Sequence, residues 1–159
     1  MRPDHNSPGG ATVAVLNRLE AWEAALVIDL RMWCDGPSGQ AEVWNGYRRS
    51  LPGQNAKRAC RSFEILLTTL IKSAYRPLVR HDTGCSCVGA DENILVNLVR
   101  TASDGQLNDA ALIATLIAGP AQAEHIAVLA GEVGETLRHM HREDIDFSTE
   151  VGGNVVRLH

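Results

Sequence analysis

The residues best suited to chemistry stand together in RHDTGCSCVGADE, positions 80–92. His81, Cys85 and Cys87 form the spacing H-x3-C-x-C. Imidazole nitrogen and thiolate sulfur are donors that zinc prefers, about four of them at roughly 2.0–2.3 Å. A turn can fold three such donors around one ion, and Gly84 and Gly89 supply backbone freedom for the wrapping. The thiols precede a predicted helix over 89–103, whose first amides favour thiolate over thiol. Arg76 and Arg80 add positive charge nearby. His81, Cys85 and Cys87 are therefore the predicted ligands of a zinc ion.

The fourth position is open. Cys34 ends the first predicted helix, and His125 or the His139/His141 pair lies on the last. Asp82 or a water can also complete the shell, and water would leave the vacant position of a catalytic zinc. Cys60 lies about four turns before the end of its helix, roughly 20 Å at 1.5 Å per residue, and is read as core. Two other readings of the turn stay open. Cys85 and Cys87 can form a redox pair, because a disulfide between residues two apart closes a strained and labile ring. The plain alternative is a loop with two free thiols and a surface histidine. A hydrolase built here would draw its base from Asp82, Asp91 or Glu92.

The elements that hold this turn are helical. Leu16, Leu19, Trp22, Leu26, Leu30 and Trp33 recur at three- and four-residue steps, which predicts a first helix over 12–34 stopped at Asp35-Gly36-Pro37. Ser38 is the expected cap of a second helix through Arg49, broken at Leu51-Pro52-Gly53. Across 54–75, Ala56, Cys60, Phe63, Leu67, Leu70 and Ala74 share one stripe, with Lys57, Arg61, Glu64 and Lys72 opposite. Arg76-Pro77 ends that third helix. The fourth runs to Asp104, a fifth spans about 108–118, and Pro120 opens a sixth over about 120–141. Residues 1–11 are expected to be disordered, 12–142 to form one domain, and 143–159 to be weakly ordered. The predicted fold is all-α, a single-domain bundle of about six helices with the Cys/His turn between the third and fourth.

Composition agrees. A chain of 159 residues can bury roughly two thirds of its unfolded surface, so it needs no metal or disulfide merely to own a core. Aromatics are only 4%, which leaves aliphatic side chains to fill the interior. The start, MRPDHNSPGGATVAV, lacks the apolar core of a signal peptide, and no run reaches the ~18 apolar residues of a membrane span. The expectation is a cytoplasmic protein with reduced thiols and no membrane association.

A net charge of −4 argues against a nucleic-acid partner. The distribution is uneven, however. Residues 48–80 carry eight bases against the single acid Glu64, so this segment is +7 and the remainder −11. Such polarity serves an acidic protein partner or pairs with acidic helices of the same fold. The glycine-proline joint before the sixth helix invites a helix-turn-helix reading. That helix offers phosphates only Arg138 before its end and carries Glu124, Glu132 and Glu135, which excludes it as a recognition helix. Trp22, Trp33 and Trp44 are read as packing anchors. Glu135, His139, His141 and Glu143 are read as a charged helix end, with a weak second metal site as the alternative. Ala-lined helices are compatible with a homodimer.

LRMWCDGPSGQAEVWNGY, RPLVRHDTGCSCVGADE and DAALIATLI resemble a group of small helical proteins of Rhodobacter-type α-proteobacteria, over about residues 25–140. The resemblance implies membership of His81, Cys85 and Cys87 in the shared pattern, and no activity. The reading that follows is a metal-binding helical protein acting as a regulatory or adaptor module. A thiol-redox sensor or metal-dependent enzyme using the same turn is the alternative.

Overall fold

The structure, a computed structural model, describes the backbone of residues 12–153 and the side chains of residues 12–142. The expected disorder of 1–11 lies outside the described residues, as do the side chains of the 143–159 tail.

Among the described residues six helices are present: α1 (Ala21–Cys34), α2 (Pro37–Ser50), α3 (Gly53–Ser73), α4 (Ala90–Ser103), α5 (Leu107–Ala114) and α6 (Pro120–Gly153). Two short strands, β1 (Thr12–Val15) and β2 (Cys87–Gly89), pair antiparallel. The sequence pattern thus locates all six helices, and three details differ. The chain from Thr12 to Arg18 is not helix but β1 followed by one 3-10 turn at Leu16–Arg18. The β-branched run Thr12-Val13-Ala14-Val15 suits a strand, and β2 supplies its partner. The cap of α2 is Gly36, at φ 107°, with Pro37 as the first helical residue; Ser38 does not cap it. The backbone of α6 stays helical to Gly153, past the end near 141 that its apolar stripe marks.

The core follows from the stripes. Phe63, Leu66, Leu67 and Leu70 of α3, Leu95, Leu98 and Val99 of α4, and Ile126, Val133 and Leu137 of α6 are all buried. α6 is the spine, contacted by α3, α4 and α5 and, over a shorter stretch, by α1. Small residues let the backbones close in. A Cβ added at Gly134 would lie 2.7 Å from the Ser103 side chain, so α4 and α6 are pressed together there. One at Gly39 would lie 1.8 Å from the Met32 carbonyl oxygen, which makes glycine a condition of the α1–α2 hairpin. Trp33 meets Phe63 edge-on at 5.6 Å, and Trp22 is buried under the Arg138 guanidinium at 4.8 Å. Trp44 is half-buried, with Arg48 over its ring.

Candidate functional site

The loop from Tyr75 to Ser86 joins α3 to β2, and what shapes it is a buried arginine. Arg31 of α1 is 0% exposed. Its Nε donates to Glu92 Oε1 at 2.7 Å and its Nη2 to Oε2 at 2.9 Å, a two-point pair. Nη1 also donates to the carbonyl oxygens of Asp82 (3.2 Å) and Cys85 (2.7 Å), and Nη2 to that of Cys87 (2.5 Å). Every guanidinium hydrogen is used, the condition under which a buried arginine is tolerated. Glu92, also 0% exposed, is equally well served. Beyond Arg31 it accepts the backbone N–H of His81 at 3.0 Å and of Gly89 at 2.9 Å. Burial alone would raise the Glu92 carboxyl; the hydrogen bonds from Arg31, Gly89 and His81 more than reverse this and leave it below its ordinary value.

Asp91 performs a similar task one residue earlier. It takes a two-point pair from Arg76, at 2.8 and 2.9 Å, and the N–H of Val79 at 2.7 Å. The Arg76 hydrogen bond outweighs burial and holds its carboxyl below the usual range. Both acids sit in the first turn of α4, where the helix dipole favours negative charge. A second pair, the buried Glu23 with the partly exposed Arg100, links α1 to α4 two turns further along.

The predicted ligands lie on this scaffold. His81 is buried, 3% exposed, and is not the surface histidine of the plain reading. Its Nδ1 lies 3.8 Å from Cys85 Sγ, while its Nε2 has no hydrogen-bond partner among the described residues. The Cys87 backbone N–H points at Cys85 Sγ at 3.4 Å. With Nδ1 protonated, two donors converge on the Cys85 sulfur. Both thiols are half-buried and reduced. The Thr12 hydroxyl and then the Cys85 thiol hold the Cys87 thiol below its ordinary value; Ser86 and the Arg31 charge add to this against a small burial effect. Gly84 and Gly89 do not supply the freedom expected of them, since among the described residues the positive-φ glycines are Gly36 and Gly105.

The structure sets His81 beside Cys85 in the loop before β2, and Cys87 is the first residue of that strand. Among the described residues, no group of three or more His, Cys, Asp and Glu side chains is arranged to hold a metal ion. Cys34 is half-buried next to Arg80, and burial raises its thiol against the pull of that guanidinium. Cys60 is core, as its stripe implies, and burial pushes its thiol up to about 11. His125 and His139 are exposed on α6, and the Glu143 side chain lies outside the described residues. Of the basic segment, Arg76 and Arg80 pair with Asp91 and Asp35. Lys57, Arg58, Arg61 and Lys72 are exposed on α3.

Sequence reading missed Arg31 and the role of Glu92. A signal was present: LVIDLRMWC, residues 26–34, holds only two charges in an otherwise apolar run, of which Arg31 is fully buried and Asp29 half-buried. Comparisons with protein-family models, with curated proteins and with solved structures found no match.

Proposed function

We propose that the chain is a small helical thiol module with a regulatory role, in which Cys85 and Cys87 interconvert between dithiol and disulfide. The observation that carries this reading is the arrangement of donors around two adjacent, half-buried sulfurs on a backbone clamped by Arg31 and Glu92. A thiolate is the reactive form of cysteine, and donors aimed at sulfur stabilise it. With a hydroperoxide as oxidant, the Cys87 thiolate attacks the peroxide oxygen and the O–O bond breaks. Cys87 becomes a sulfenic acid and the peroxide leaves as hydroxide, which takes up the thiol proton to become water (an alcohol for an organic peroxide). Cys85 then displaces the sulfenic hydroxyl, forming the S–S bond and releasing a second water. A dithiol reductant reverses the exchange.

One observation favours a second reading, zinc held by His81, Cys85 and Cys87. The 3.8 Å between Nδ1 and Cys85 Sγ is close to the roughly 3.6–3.8 Å expected of two such ligands on one tetrahedral zinc. In either reading the module's partner is an acidic protein surface, received by Lys57, Arg58 and Arg61.

Intact-mass spectrometry after graded hydrogen peroxide, on the wild type and on Cys85→Ser and Cys87→Ser, tests the proposal. The expected result is loss of two hydrogens in the wild type, reversed by dithiothreitol. Cys85→Ser is expected to accumulate a sulfenic acid on Cys87. Unmodified thiols would overturn the redox reading. Zinc bound one per chain, and lost in both variants, would establish the metal reading instead.

A further inference from the structure

A second site lies on the other side of α1. A cavity of about 200 Å³ opens between α1, α2 and α6, and Asp29 and Tyr47 both line it. Tyr47 is 1% exposed, and its hydroxyl is buried without a hydrogen-bond partner among the described residues. Asp29 likewise makes no hydrogen bond or ion pair there, and burial pushes its carboxyl up to about 7. Nearly every buried polar group in a folded protein is satisfied, and leaving one unmade costs about 1–3 kcal/mol. The Tyr47 hydroxyl is such a group, and the half-buried Asp29 carboxyl shares its cavity and also lacks a partner among the described residues, so the cavity suits an occupant that satisfies both.

The lining defines that occupant. Asp29 calls for a hydrogen-bond donor, best a charged one, and the Tyr47 oxygen can accept a second bond from it. Arg49 and Ser50 line the same cavity from the end of α2. No ion pair engages Arg49 among the described residues. A simple cation would be repelled by that guanidinium, and a simple anion by Asp29. Val43, Leu137 and Met140 provide an apolar wall. The volume equals about seven waters at roughly 30 Å³ each, or one small organic molecule. It is well below the range of about 300–1,000 Å³ usual for drug-sized ligands.

We propose that this cavity binds a small aliphatic amino acid or an amine-carboxylate of the same size. Its ammonium sits between Asp29 and Tyr47, its carboxylate faces Arg49 and Ser50, and its side chain lies on Leu137 and Met140. The site is separate from the thiol turn and does not depend on its chemistry.

Isothermal titration with leucine, 3-methylbutylamine and 4-methylpentanoate as probes tests the assignment. Leucine is expected to bind at least tenfold more tightly than the amine or the acid, each of which lacks one charge. Asp29→Asn, nearly isosteric, is expected to weaken leucine at least tenfold. Arg49→Gln is expected to erase the advantage of leucine over the amine, and Cys85→Ser to leave binding unchanged. Absence of binding by all three probes at millimolar concentration would overturn the proposal and leave a water-filled cavity. Equal binding of leucine and the amine by the wild type would overturn the zwitterion assignment.

Discussion

Asp29 and Arg31 stand two residues apart on α1, Arg31 fully buried and Asp29 half-buried, in opposite circumstances. Arg31 spends all five of its donors on Glu92 and on three carbonyls of the 82–87 turn. Asp29 meets no partner among the described residues and shares its cavity with an orphaned tyrosine hydroxyl. Taking a charge out of water is costly, and only a complete set of partners offsets it. The first arrangement is therefore structural, since its groups satisfy one another. The second is incomplete by itself, and incompleteness is what a binding site looks like before its ligand arrives.

The comparison can be broken most severely at Arg31. Arg31→Met should destabilise by about 3–5 kcal/mol, because it strands a buried carboxylate, and urea unfolding would measure it. Adding Glu92→Leu should recover only part of the loss. A simple ion pair replaced by apolar residues is nearly neutral, but here the carbonyls of Asp82, Cys85 and Cys87 stay orphaned. Full recovery in the double variant would show that the carbonyl contacts contribute nothing.

Acidity sharpens the contrast next. The Asp29 carboxyl is raised to about 7 from an ordinary 3.8, so its protonated form is favoured by folding. Its contribution is complete below the unfolded value and is lost as pH rises toward 7. Asp91 and Glu92 are lowered, so their contribution is present above their ordinary values and is lost as pH falls through the folded ones. Asp29→Asn should thus gain on wild type in urea midpoint between pH 5 and pH 8, whereas the deficit of Glu92→Gln should be full above the ordinary value of 4.5 and shrink as pH falls below it. A pH-independent difference between Asp29→Asn and wild type would contradict the burial of that carboxyl.

Smaller effects follow. Tyr47→Phe removes a buried hydroxyl that has no partner among the described residues and should raise stability by about 1 kcal/mol, read as an upward shift in melting temperature without ligand. Arg80→Gln breaks an ion pair with Asp35 that is partly exposed on both sides. It should change stability by no more than about 0.5 kcal/mol, with the small loss shrinking further in high salt.

The helices and their order were legible because each carries its own apolar stripe, and a stripe is a local property. The segment from His81 to Cys87 stood out because its residue types are rare in such company. The organiser of that segment was not legible. Arg31 counts as a surface residue in any reading that sorts charge outward, and its partner Glu92 is 61 residues away. Thr12–Val15 was read as helix because Leu16 and Leu19 continue the stripe of α1 backward, and its partner strand is only three residues long. The wrapping role given to Gly84 and Gly89 likewise failed, because hydrogen bonds to Arg31, not backbone freedom, shape the loop. Helix existence is written locally, while burial of charge is settled between distant segments.

The β1–β2 pairing also orders events in time. Thr12 lies opposite Gly89 and Val15 opposite Cys87, so the chain must close a loop of more than seventy residues before that ladder forms. The helical hairpins on either side need only short closures. Contacts of long sequence separation form late, which places the docking of β1, and with it the Thr12 hydroxyl beside Cys87, at the end of folding. A nascent or partly unfolded chain thus presents its two sulfurs without the neighbours that tune them. Pulse labelling with a maleimide during refolding should find Cys87 changing its reactivity in the slowest phase, after the helical signal is complete.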